Sequence, residues 1–107
     1  MSNTIRSLVA LAAVVLLAGA VGFAQYAGEA TYKAKCQSCH GAEGTPNPGI
    51  AKAMGVKPAS DPTVKADSEA QMITITTDGK GKMPAYKGKL TDAEIKDAVD
   101  YFRTFAK

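Results

Sequence analysis

Cys36-Gln37-Ser38-Cys39-His40 is the stretch that most restricts what this chain can become. Two thiols three residues apart, followed at once by a histidine, form the pattern of covalent c-type haem attachment. The spacing has a physical reason. On a helical turn Cys36 and Cys39 fall on nearly one face, so both can form thioethers to the two vinyl groups of one porphyrin. His40 is then carried under the ring, where an imidazole nitrogen can bind the iron. The 107 residues include two cysteines and one histidine, so every ligand of this kind sits within five positions. A structural zinc needs about four ligands, and no further Cys or His exists to complete one. A disulfide is the plain alternative for the two thiols. A thioredoxin-like redox pair is another, but it wants a βαβ setting, and no strand-rich pattern surrounds this pair.

The length suits one small domain. Hydrophobic content is 46%, but much of it lies at the N-terminus. Residues 1–24 read as a secretory signal: Arg6, an apolar run from Leu8 to Ala20, then Gly22-Phe23-Ala24 as a small-x-small site before Gln25. The alternative is an uncleaved anchor, because Ser7 to Gly28 carries no charge and is long enough to span a bilayer. Cleavage leaves the domain 25–107, which is 83 residues. It removes Arg6 and no acid, so the net charge falls from +3 to +2, which is not a nucleic-acid balance. Export to the bacterial periplasm fits covalent haem attachment. So short a chain has a thin core, and a buried porphyrin supplies the apolar surface that it lacks.

A first helix is expected from about Tyr26 to Lys35, with Gly28 and Tyr32 on one face. Gly28 is either a weak helix position or a point of close approach by another helix. From Gly41 to Asp67 the chain is rich in Gly, Pro and small polar residues, and Pro46, Pro48, Pro58 and Pro62 interrupt any long helix. Ile50 to Met54 suits one short turn. This weakly structured length suits wrapping around a cofactor. A proline carbonyl within it can accept the second ring N–H of His40. Pro48 is the candidate and Pro46 the reserve, with plain turn-making the competing role of either. Ser68 to Thr77 reads as a short helix capped by Asp67 or Ser68; Thr74, Thr76 and Thr77 keep strand as a competitor.

Next comes Gly79-Lys80-Gly81-Lys82-Met83-Pro84-Ala85-Tyr86, an open loop held by two glycines and a proline. Met83 sits in its middle. A methionine is ordinarily core filler, but this one lies among polar residues, and Pro84 pushes it out of helical geometry. A thioether is a neutral, soft ligand that raises the iron's potential. Met83 is therefore the candidate sixth ligand, with Met54 and Met72 as competitors that fit better as packing. Thr91-Asp92-Ala93-Glu94 then forms a capping box, with Leu90 and Ile95 as a hydrophobic staple. Ile95, Ala98, Val99, Phe102, Phe105 and Ala106 recur at helical spacing as one apolar stripe, whose expected partner is the first helix at Gly28.

Taken together, 25–107 resembles a class I cytochrome c of the small soluble bacterial type. The resemblance rests on the Cys36–His40 motif, the Gly81–Tyr86 loop and the C-terminal helix with Tyr101 and Phe102. It implies an all-α fold of three to four helices wrapped around one covalently bound haem c. It implies His40 and Met83 as axial ligands of the iron, and crossed terminal helices meeting at Gly28, Tyr32 and Tyr101. The expected function is one-electron transfer between redox partner proteins, not catalysis on a small-molecule substrate. No second histidine is present for acid–base work. Lys80, Lys82, Lys87 and Lys89 surround Met83; they either steer an acidic partner or form a solvated loop. Contact with a membrane is expected only through a partner or an uncleaved N-terminal segment. Two other functions remain: a gas-binding or catalytic haem protein with a labile sixth ligand, and a haem module of a membrane-tethered oxidoreductase.

Overall fold

A computed structural model of the chain describes residues 28–106, so the N-terminal segment 1–24 lies outside the described residues. Six helical segments follow one another. They are α1 over 28–35, α2 Gln37–His40, α3 Pro48–Met54, α4 Pro62–Lys65, α5 Glu69–Asp78 and α6 Asp92–Arg103. Among the described residues there is no strand, only isolated bridge pairs at Lys80/Met83 and Lys87/Leu90. The all-α expectation stands, and two of the six segments are single turns.

As expected, no long helix crosses the proline-rich middle stretch, where the helices are the short α3 and α4. Pro48 and Pro62 each open a helix at its first position, where the missing N–H costs nothing. Asn47 Oδ1 accepts from the amides of Gly49 (2.8 Å) and Ile50 (3.2 Å). Asp61 Oδ1 accepts from the amide of Thr63 at 2.9 Å. Pro48 and Pro62 therefore start helices here, and the Asn-Pro and Asp-Pro pairs are the sequence signal for it.

Ser68 is the cap of α5, in a reciprocal box with Gln71. The segment is helical in spite of its three threonines, whose hydroxyls are satisfied within the helix. The hydroxyls of Thr74, Thr76 and Thr77 donate to the carbonyls of Ala70, Met72 and Ile73 one turn back, at 3.1, 2.8 and 2.8 Å. Thr91 and Glu94 form the expected box at the start of α6.

The core lies between α5 and α6. Met72, Ile95 and Val99 are buried together, with Val64, Ile73, Tyr86, Leu90 and Phe102 packed around them. A second contact brings α1 across α6. A Cβ on Gly28 would stand 2.4 Å from the Asp97 carbonyl oxygen and 3.3 Å from Cβ of Tyr101, so the helices touch backbone to backbone. Replacing Gly28 with alanine sets a helix-propensity gain of about 1 kcal/mol against overpacking of about 1–3 kcal/mol. The clash involves a backbone atom that cannot swing away, so net destabilisation is expected. A denaturant midpoint equal to or above that of the parent protein would show that the helices separate at no cost.

Candidate functional site

The attachment motif sits where α1 breaks. Helix 28–35 ends at Cys36, and α2 restarts at Gln37 as a single turn that carries Ser38, Cys39 and His40. The amides of Cys39 and His40 both donate to the Cys36 carbonyl, at 3.2 and 2.9 Å. This tight turn brings the two cysteines and His40 together. Both thiols are half-buried, and they are not joined in a disulfide. Burial, reinforced by Cys39, pushes the Cys36 thiol up to about 11. A redox-active pair of this spacing needs a lowered thiol pKa, so the environment speaks against that use.

His40 is held by packing. Its ring meets Phe102 of α6 edge-on, with centroids 5.2 Å apart. Phe102 in turn stacks on Tyr32, at 6.2 Å. Tyr32 is 1% exposed and is also packed against Tyr101 and Phe105, at 5.3 and 5.9 Å. Its hydroxyl donates to the Gly41 carbonyl at 2.6 Å, which ties the residue after His40 back to α1. Burial raises the Tyr32 phenol to about 12. Burial also lowers the His40 pKa, which favours the neutral imidazole that binds metal.

Two polar atoms at the motif are buried without a hydrogen-bond partner among the described residues: Nδ1 of His40 and Oε1 of Gln37. The bond expected from His40 to Pro48 is therefore not formed. Pro48 is exposed and serves as the first residue of α3. Pro46, the reserve, is buried. It follows Thr45, whose carbonyl lies directly over Gly41. The chain thus returns to the motif at Thr45–Pro46 rather than at Pro48.

Met83 lies on a tight turn between α5 and α6. Lys80 and Met83 exchange both backbone hydrogen bonds, at 3.1 and 3.0 Å. Gly79, with φ +80°, admits the fold-back: a Cβ there would stand 2.9 Å from the Met83 carbonyl oxygen and from the Ala85 amide. Met83 is partly exposed and stands outside the core cluster, whereas Met72 is 8% exposed within it. Met54 is half-buried at the end of α3. Lys80, Lys82, Lys87 and Lys89 are all exposed around this loop. Two of them have partners: Lys82 Nζ donates to the Ala53 carbonyl at 2.7 Å, and Lys89 Nζ lies 6.0 Å from the Tyr86 ring centre.

The donor set fits a covalently held haem. Among the described residues it offers two thiols on one turn that form no disulfide, a buried imidazole whose burial favours the neutral form, and a thioether presented from a loop. Sequence reasoning missed the polar ties that hold these pieces: Tyr32 to Gly41, Lys82 to Ala53, and Tyr86 to the Lys35 carbonyl at 2.9 Å. Each runs from a side chain to a distant backbone carbonyl, and no local pattern announces such a bond.

Comparison with known proteins agrees with this chemistry. Residues 24–102 match the family described as cytochrome c oxidase, cbb3-type, subunit III. Cytochrome c-551 of Halorhodospira halochloris is 38% identical over 68 residues, covering 62% of this chain and 76% of that one. Cytochrome c-555 of Chlorobaculum tepidum is 34% identical, with 94% of each chain covered. The solved structure of the KustC0563 c-type cytochrome superposes with a TM-score of 0.67 at 30% identity, over 75% of this chain and 98% of that one. The chain is thus a c-type cytochrome. It belongs to the class I monohaem cytochromes c and carries one covalently bound, iron-containing haem c. Among the described residues, no helix is long and apolar enough to cross a membrane.

Proposed function

We propose that this cytochrome is a single-electron carrier. Cys36 and Cys39 would hold the haem through thioethers, and His40 and Met83 would ligate its iron. The observation that carries this reading is the separation of the methionines. Met72 is committed to the core, whereas Met83 stands on a polar turn that packing does not need. The haem supplies a one-electron couple, Fe(III)/Fe(II). The chain's part would be to ligate the iron, exclude water with the Tyr32–Phe102–His40 packing, and orient the imidazole. With His40 and Met83 both bound, the iron would offer no open site for substrate, which suits a carrier rather than an enzyme. The exposed lysines around Met83 give the loop a positive surface suited to brief, salt-sensitive contact with acidic redox partners.

The test is an absorption spectrum, oxidised and then reduced. Sharp c-type bands on reduction, with the weak red band of a methionine–ferric bond in the oxidised form, are the expected result. Haem bands without that red band would overturn the carrier reading in favour of an open iron.

A second reading has its own observation, because the matching family is described as an oxidase subunit. A haem module tethered in such an assembly would retain residues 1–24 as its anchor. The carrier reading has them cleaved as a signal during export to the periplasm, leaving 25–107. The mass of the purified protein separates the two. Loss of the segment excludes tethering through it, and retention excludes a cleaved signal.

A further inference from the structure

Two side chains flank Met83, and each reaches out of the loop to a far part of the chain. Lys82, one residue before, donates to the Ala53 carbonyl at 2.7 Å across 29 residues of sequence. Tyr86, three residues after, donates its hydroxyl to the Lys35 carbonyl at 2.9 Å across 51 residues. Both acceptors are helix-end carbonyls of the kind that lack an intrahelical partner. Ala53 is the penultimate residue of α3, which stops at Gly55 in a left-handed turn. Lys35 is the last residue of helix 28–35, and the Cys39 amide that would continue the ladder bonds to Cys36 instead. The break that forms the attachment turn therefore leaves a carbonyl free, and Tyr86 takes it.

We propose that Tyr86 and Lys82 are positioning residues. They strap the Met83 loop between the end of α1 and the end of α3, and so set how readily the methionine sulfur leaves the iron. The inference rests on Met83 being the sixth ligand. Between the two anchors the loop has few other ties: the Lys80–Met83 pair, then Tyr86 and Lys87 amides donating to the Thr76 and Thr77 carbonyls at 3.0 and 3.1 Å. These backbone bonds dock the loop on α5. Among the described residues, the two side-chain bonds are the hydrogen bonds that tie it to other helices. The Tyr86 ring also packs against the core cluster, so the hydroxyl bond can be removed while the packing stays. Lys82 is exposed, and its ammonium adds a favourable charge at a helix C-terminus.

The test uses the haem-loaded protein and measures the rate at which imidazole displaces the internal ligand from the ferric form. Y86F removes one anchor and K82A the other. Each variant should keep the red band and bind imidazole roughly five- to tenfold faster, the size expected for losing one hydrogen bond. The anchors lie on opposite flanks, so the double variant should show the product of the two factors. T91A serves as the control, because losing the α6 cap lowers overall stability without touching the loop. Unchanged rates in Y86F and K82A, with the red band present in the parent protein, would overturn the strap while leaving Met83 as ligand. T91A speeding the reaction as much as Y86F would reduce both anchors to general stability. Should Y86F fold poorly, K82A still decides, since an exposed lysine contributes nothing to the core. Failure of the ligand assignment has a different signature: no red band in the parent protein, and imidazole binding to M83A at the parent rate.

Discussion

Haem that acidic organic solvent extracts completely is the expected result of replacing both Cys36 and Cys39 with alanine. The parent protein should retain all of its haem under the same treatment. His40, Met83 and the surrounding packing would still favour binding, but only as a dissociable complex. A covalent tether holds the porphyrin at a high effective concentration that does not fall on dilution. Without it, stability depends on free haem by mass action. The consequence should be large in this chain because its own core is small. Among the described residues, the buried apolar side chains apart from Tyr32 are Ala59, Met72, Ile95, Ala98 and Val99, two of them alanines. Loss of haem should therefore lower the melting temperature together with the haem content, and dilution should lower it further. Haem that stays with the double variant through extraction would defeat the assignment of these two cysteines.

Met83→Ala should lower the reduction potential and open the iron to exogenous ligands. A neutral thioether favours Fe(II) over Fe(III). Axial ligands set haem potentials over a range of about 0.8 V, so a fall on the order of 0.2 V is expected when this one is lost. Carbon monoxide should bind rapidly to the reduced variant and slowly, if at all, to the reduced parent. The fold should persist, because Met83 lies outside the core cluster. An unchanged potential would reject Met83 and turn attention to Met54, half-buried at the end of α3. Met72 is a poor substitute, since withdrawing it from between Ile95 and Val99 would open the core.

The residues proposed to hold the haem are legible in the sequence because each is marked by its immediate neighbours. Cys36, Cys39 and His40 form one contiguous word. Met83 is conspicuous for lying among glycines, lysines and a proline. The box at Thr91 and Glu94 is satisfied within one turn, as is the box at Ser68 and Gln71. The middle stretch was harder to read. A proline both ends and begins helices, and which role wins depends on whether the preceding side chain can cap, as Asn47 and Asp61 do. Pro48 is the proline the sequence offers as a partner for His40, yet the loop returns to the motif at Thr45–Pro46, a choice made by how the turn after His40 closes.

Local interactions therefore settle a good deal from the order of residues alone: the haem-attachment turn, the last helix with its cap, and the loop that presents Met83. Their energies come from groups within about four positions of one another, and these the chain specifies wherever it lies. Contacts between distant segments were left to the tertiary structure. Gly28 against Asp97, Phe102 against His40, Lys82 on Ala53 and Tyr86 on Lys35 each join parts of the chain that approach only once the helices cross. Gly28 read equally well as a weak helix position or a crossing point, because closeness is a property of the partner helix. A hydroxyl or ammonium can bond any free carbonyl. Which carbonyl is free follows from where helices end, and which is near follows from packing.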